Sequence, residues 1–136
     1  LPAAFLLAAV CLLISGSVWL RWREAERARI NLLKRQIRIE VLNGTSVERL
    51  GQQAADRLRK AGFDVVEVAN AEYRSFEETV VVDRADNRAA NARLVAGELK
   101  CKNIIPQLEP TLLLEVTVIV GQDYNKKKKR RFLGIL

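Results

Sequence analysis

The first 20 residues, LPAAFLLAAVCLLISGSVWL, carry no charge. At about 1.5 Å per helical residue they reach roughly 30 Å, the thickness of a bilayer core. A segment this long with no polar face constrains the chain more than any other feature. It predicts a transmembrane helix over residues 1–22. Trp19 and Trp22 stand where interfacial aromatics belong, and Arg21 and Arg23 follow at once. A cleaved signal peptide is the rival reading, with an apolar core of about 7–15 residues ending in small ones. Ile14-Ser15-Gly16-Ser17 is a weak cleavage site of that kind. Cys11 raises a lipoprotein alternative, but Val10 is large for the small residue needed before it. The span length favours an uncleaved single-pass anchor. There is no methionine, even at position 1, so the sequence is read as starting inside a longer product or as trimmed.

The formal charge of +7 is unevenly placed. Arg21–Arg35 carries +4 and Lys126–Arg131 carries +6, while Gln36–Asn125 carries −3. The globular part is mildly acidic and the basicity sits in its flanks. A basic isoelectric point points to nucleic acid only when the charge lies on a folded face, so nucleic acid is not an expected partner. The absence of histidine excludes His bases, His-activated nucleophiles and His metal ligands. Two cysteines, Cys11 and Cys101, cannot build a four-Cys zinc site or a disulfide framework.

Residues 23–35 lack Pro and Gly and are rich in Arg, Glu, Ala and Leu, which predicts a helical stalk extending the membrane helix. Gln36–Leu42 alternates, with Ile37, Ile39 and Val41 on one face, as a half-buried strand does. Asn43-Gly44 ends it. Thr45-x-x-Glu48 reads as a capping box opening a helix, with Val47, Leu50, Ala54, Leu58 and Ala61 on one face and Gly62 as its stop. Phe63–Val68 and Thr79–Asp83 read as strands, with a polar loop between them. Asp86-Asn87 is expected to cap a second helix reaching Lys100, with Ala90, Leu94, Val95 and Leu99 inward. Ile104-Ile105 before Pro106 reads as a short edge strand. Leu112–Val120 reads as a long central strand ended by Gly121. The order β-α-β-β-α-β predicts an α+β fold, a small mixed sheet with two helices on one face, preceded by one transmembrane helix. The domain is placed at 36–125, followed by a basic tail with an apolar end at 126–136.

Residues 37–124 resemble the C-terminal domain of the LytR family, an extracytoplasmic module often attached to LytR/CpsA/Psr envelope proteins. The resemblance rests on Ile39-Glu40-Val41-Leu42-Asn43-Gly44, Ala55–Leu58, Ala61-Gly62-Phe63-Asp64-Val65 and Thr79-Val80-Val81-Val82. It ends on Val116–Val120 and Gly121-Gln122-Asp123-Tyr124, similar to the family's apolar strand, glycine, any residue and aspartate. One departure is Glu48-Arg49-Leu50-Gly51, where the family more often has a glycine and then small apolar residues. The resemblance implies a membrane-anchored protein of the cell envelope with its domain outside the cytoplasm. It implies no activity, since polymer transfer in larger family members belongs to a separate catalytic domain.

Chemistry candidates are few. Asn43, Gly44, Thr45 and Ser46 precede an expected helix, so their backbone N–H groups are a candidate anion or ligand contact; a plain turn and helix cap is the competing reading. Glu77-Glu78 point to opposite faces and make no acid–base pair. Asp83, Asp86 and Asp123 lack calcium-loop spacing, and capping roles suffice for them. Cys101 lies between Lys100 and Lys102, which could lower its pKa, but with no partner cysteine in the domain it is read as a free, unremarkable thiol. Lys126, Lys127, Lys128, Lys129, Arg130, Arg131 and Phe132 are a candidate membrane or polymer contact, with a solvated disordered tail as the alternative. No catalytic residue, metal ligand or cofactor is assigned.

The functional expectation is a non-catalytic envelope protein at the cytoplasmic membrane. Its partners are the lipid bilayer through residues 1–22 and a cell-wall polymer or envelope protein. An envelope-glycan-processing enzyme is the alternative. A cytoplasmic-facing regulator binding nucleic acid through its basic flanks is a second one. Flanking charge alone favours a cytoplasmic domain. The flank before the span is missing from that comparison, so the resemblance decides for an extracytoplasmic one.

Overall fold

A computed structural model describes residues 2–134; Leu1 of the expected span and Ile135 and Leu136 of the expected apolar end lie outside the described residues. The chain divides into two compact units, Leu1–Leu33 and Lys34–Leu136.

The first unit is helical. Helix α1, Pro2–Gln36, runs unbroken because no Pro or Gly interrupts Ser17–Gln36. None of its residues is buried, and among the described residues it is the one helix long and apolar enough to cross a membrane. The two serines of its apolar stretch bond carbonyls of the preceding turn, as hydroxyls in an apolar surrounding require. Ser15 Oγ donates to the Cys11 carbonyl at 2.8 Å and Ser17 Oγ to the Ile14 carbonyl at 2.8 Å. The Arg23 guanidinium lies 4.5 Å from the Trp19 ring centroid one turn away.

The second unit is a five-stranded sheet with its helices on one face. Its elements are β1 (Arg38–Asn43), α2 (Leu50–Lys60), β2 (Asp64–Asn70), β3 (Val80–Asp83), α3 (Ala90–Leu99), β4 (Asn103–Pro106), β5 (Val116–Val120) and α4 (Gln122–Phe132). The strand order is β2-β1-β5-β3-β4. β1 pairs in parallel with β2 and β5, β3 pairs in parallel with β4, and β3 runs antiparallel to β5. The mixed sheet is therefore as expected, with β5 central and β4 at an edge. Ile39 and Val41, Val81, and Val116, Val118 and Val120 form the sheet side of the core. Leu50, Ala54, Ala55 and Leu58 of α2 and Ala92, Val95, Ala96 and Leu99 of α3 close it from above. Full burial of a Leu or Val side chain contributes about 1.5–3 kcal/mol.

Three local expectations are corrected. The first helix does not open at Thr45. It starts at Leu50, and Arg49 before it takes φ 62° with no side-chain cap. Thr45 is instead held inside the preceding turn, as described below. The long strand begins at Val116 rather than Leu112. Pro110–Leu112 is a 3-10 turn and Leu113 has φ 53° with 72% of its surface exposed. The alternation of Leu112, Leu114 and Val116 imitates a strand, but β1 and β3 offer pairing partners only from Val116 onward. Ala90 faces solvent, and Ala92 and Ala96 take the inward positions on α3.

The cap of α3 is shared between two carboxylates. The fully buried Asp83 accepts from the Ala92 N–H at 3.0 Å and from the Ala85 and Asp86 N–H groups at 3.0 and 2.8 Å. Asp86 accepts from the Arg88 and Ala90 N–H groups, which holds its carboxyl below the usual range. Gly62, at φ 99°, ends α2: its N–H donates to Arg59 and the Phe63 N–H reaches back to Leu58.

At the carboxyl ends of β1 and β5 the chain segment 76–79 crosses with no room to spare. A Cβ on Gly121 would stand 2.3 Å from the Glu78 carbonyl carbon, and one on Gly44 would stand 2.7 Å from Phe76 Cδ2. Asp123 clamps the crossing, accepting from Thr79 N–H at 2.9 Å and Thr79 Oγ1 at 2.7 Å. Gly121 N–H donates to Thr79 Oγ1 at 3.1 Å. Because the Gly121 contact is with backbone, which cannot rotate away, Gly121→Ala is expected to destabilise the domain by about 3 kcal/mol or prevent folding. Thermal unfolding of the variant followed by circular dichroism checks this; an unchanged Tm would refute the close crossing.

Candidate functional site: a basic cleft in the helix layer

The run from Lys126 to Arg131 is not a separate extension. It continues a helix that the Asp123–Thr79 clamp starts at Gln122. Residues three and four apart share a helix face, so Tyr124, Lys127, Lys128 and Arg131 fall together. Tyr124 is buried in the core cluster, and this face turns toward α2 and the end of α3. Lys127 Nζ donates to the Lys100 carbonyl at 2.8 Å and lies 3.9 Å from Asp123. Lys128 Nζ donates to Gln53 Oε1. Lys126, Lys129, Arg130 and Phe132 do not line the cleft; they are exposed, Phe132 at 90%, and Lys128 and Arg131 are also exposed.

Between these helices is a cleft of about 310 Å³ lined by Arg57, Leu99, Lys100, Tyr124, Lys127, Lys128 and Arg131. A shallower depression of about 540 Å³ adjoins it, sharing Arg57 and Arg131 and adding Lys34, Lys60 and the carboxylates Asp56 and Glu98. Glu98 orients Arg57 at 3.5 Å. Burial pushes the Tyr124 phenol above its ordinary pKa, against the opposite pull of Arg57 and Arg131, so it stays protonated at neutral pH and can donate. This arrangement offers cations and hydrogen-bond donors, the chemistry of anion binding. Among the described residues no three His, Cys, Asp or Glu side chains gather as a metal site.

The structure thus brings Lys127, Lys128 and Arg131 of the expected contact together and leaves Lys126, Lys129, Arg130 and Phe132 outside the cleft. Arg57, Lys100, Tyr124, Lys34 and Lys60 were not singled out from sequence. The i, i+3 spacing of Arg57 and Lys60 on a helix was their one visible signal.

The candidate turn at Asn43–Ser46 lies elsewhere, and donors of Asn43, Gly44 and Thr45 are bonded within the domain. Gly44 N–H donates to the Val120 carbonyl at 2.9 Å and Thr45 N–H to Asn43 Oδ1 at 3.0 Å. Thr45 Oγ1 donates to the same oxygen at 2.8 Å and accepts from Val47 N–H. Asn43 Nδ2 donates to the Val47 carbonyl. Only Ser46 of the four is exposed. Arg74 Nε closes the turn on the Thr45 carbonyl at 2.8 Å.

A family model described as the LytR cell envelope-related transcriptional attenuator matches residues 36–124. The chain belongs to this family. No curated protein and no solved structure gives a significant match. Within this LytR C-terminal domain the motif residues now have physical roles. Asn43-Gly44-Thr45 and Gly121-Gln122-Asp123 meet around the crossing segment, where two glycines make space, the Asp123 side chain bonds Thr79 and the Gly44 carbonyl accepts from Phe76 N–H. Arg49 occupies a left-handed conformation that glycine adopts without steric cost.

Cys101 lies half-buried in the same domain, its S–H donating to the Thr79 carbonyl at 2.9 Å. Burial raises its pKa, which outweighs the opposite pull of the Asn103 backbone and of Lys127. The folded state therefore holds the thiol proton more tightly than the unfolded chain. Its contribution to stability is constant below the unfolded pKa, about 8.5, and is lost as pH rises through the higher folded value. In a Cys11→Ser variant at pH 8, Cys101 is expected to react with a disulfide reagent at least about tenfold more slowly in the native than in the denatured protein. Equal rates would contradict the buried thiol.

Proposed function

We propose that this family member is a non-catalytic binding protein of the cell envelope. Residues 1–22 anchor it in the cytoplasmic membrane by a single span. The domain lies outside the cytoplasm and holds an anionic envelope polymer or an acidic partner protein through its basic helix face. The observation that carries the reading is the convergence of Arg57, Lys100, Lys127, Lys128 and Arg131 on one cleft of a cell envelope-related domain. The rest of the domain is mildly acidic, so α4 and its neighbours dominate attraction to an anion. Near a charged surface each such cation contributes about 1 kcal/mol, screened over about 8 Å at physiological salt.

Location is tested with a single surface thiol. Asn87 is exposed, and Asn87→Cys is introduced with Cys11→Ser and Cys101→Ser. A membrane-impermeant maleimide is expected to label it in intact spheroplasts. Labelling that needs lysis would place the domain in the cytoplasm and defeat the envelope reading.

Binding is tested separately by co-sedimenting the detergent-solubilised full chain with purified cell-wall sacculi. Retention at low salt should fall steeply between about 50 and 500 mM salt. Salt-independent retention, or none, would remove the basic face as the contact.

A further inference from the structure

We propose that the cleft between α2, the end of α3 and α4 is a binding site for a phosphate group carried on a larger ligand. The inference deepens the binding function above. It rests on that reading only in making the helix face a ligand site, and it holds whichever side of the membrane the domain occupies.

Three observations lead there. First, the cations come from three elements far apart in sequence: Arg57 from α2, Lys100 from the end of α3, and Lys127, Lys128 and Arg131 from α4. Like charges gathered this way repel one another. Two carboxylates touch the group, Glu98 beside Arg57 and Asp123 beside Lys127. An excess of positive charge remains, which a multiply charged anion neutralises better than a single carboxylate.

Second, the donors divide by geometry. Lys127 and Lys128 are tied to the Lys100 carbonyl and to Gln53, which draws α4 onto the other helices. Arg57 and Arg131 line both the cleft and the adjoining depression and carry planar donor forks, and the protonated Tyr124 lines the cleft beside them. Forked guanidinium groups approaching from two helices suit a tetrahedral group whose oxygens point in several directions.

Third, the space exceeds a lone phosphate. The cleft of about 310 Å³ equals roughly ten waters, and the adjoining depression continues it past Lys34 and Lys60. A phosphate seated between Arg57 and Arg131 leaves a polar path, lined by Lys34, Lys60, Gln53, Asp56 and Glu98, along which the rest of the ligand can run.

The test uses the full chain in non-ionic detergent, with Arg Nε signals followed by NMR. The probes are inorganic pyrophosphate and glycerophosphoglycerol, a phosphodiester headgroup without acyl chains; citrate is the carboxylate control. Saturable shifts at Arg57 and Arg131 are expected with at least one phosphate probe. Arg57→Gln with Arg131→Gln should weaken binding about tenfold or more. Lys126→Gln with Arg130→Gln removes the same charge from the outward face and should change it less than about twofold. Tighter binding of glycerophosphoglycerol assigns a diester source, and tighter binding of pyrophosphate a free or terminal phosphate. Equal losses in the two double variants would reduce the effect to diffuse charge and overturn the site. Citrate binding as tightly as either phosphate probe would overturn the phosphate assignment, as would the absence of any saturable shift. If the double variant fails to melt cooperatively, Arg131→Gln alone, at an exposed position, decides the matter. Surface labelling of Asn87→Cys together with failed phosphate binding would leave the envelope location standing and remove only this site.

Discussion

The domain depends on one crowded crossing. The segment 76–79 passes the carboxyl ends of β1 and β5 so closely that neither Gly44 nor Gly121 can carry a side chain. Hydrogen bonds hold it from both sides. Phe76 N–H donates to the Gly44 carbonyl, and the Gln122 and Asp123 N–H groups donate to Phe76 and Glu77. The Asp123 carboxylate adds two bonds to Thr79 at its far end. Asp123 N–H, the Thr79 hydroxyl and the start of β3 thereby form one unit, which ties β1, β5 and β3 together where their connections diverge. A buried polar network of this kind is stable only when every member is satisfied, and no buried side-chain polar atom among the described residues lacks a partner.

The same clamp sets where α4 begins, and so what α4 can reach. Asp123 sits in the first turn of the helix, where negative charge is favoured, and Lys129, Arg130 and Arg131 sit in the last, where positive charge is favoured. Starting at Gln122, the helix turns Tyr124 into the core and carries Lys127, Lys128 and Arg131 over α2 and α3. Six adjacent basic residues are thereby sorted into two populations. One half faces a cleft that already holds Arg57 and Lys100; the other half faces water beside the exposed Phe132 and Leu133. A fully solvated tail would carry the same charge without this division.

Much of the fold was legible because local rules and packing agree. The alternation of Ile37, Ile39 and Val41 gave β1, the apolar run Val80–Val82 gave β3, and Gly62 marked the end of α2. The readings that failed were those in which a local pattern had a second use. Thr45 looks like a helix cap, yet its hydroxyl bonds Asn43 and Val47 because the helix starts five residues later. Leu112 and Leu114 continue the rhythm of β5, yet Pro110 starts a turn and no neighbouring strand reaches them.

The sequence by itself determined an uncharged N-terminal stretch of membrane-spanning length, the identities of the sheet's strands and the placement of positive charge along the chain. These depend on composition and on periods of a few residues, which do not change with folding. Tertiary structure alone decided which charges meet. Arg57 and Arg131 are more than seventy residues apart, and no local pattern connects them. They share one cleft because the Thr79–Asp123 clamp begins α4 at Gln122 and Tyr124 binds it to the core.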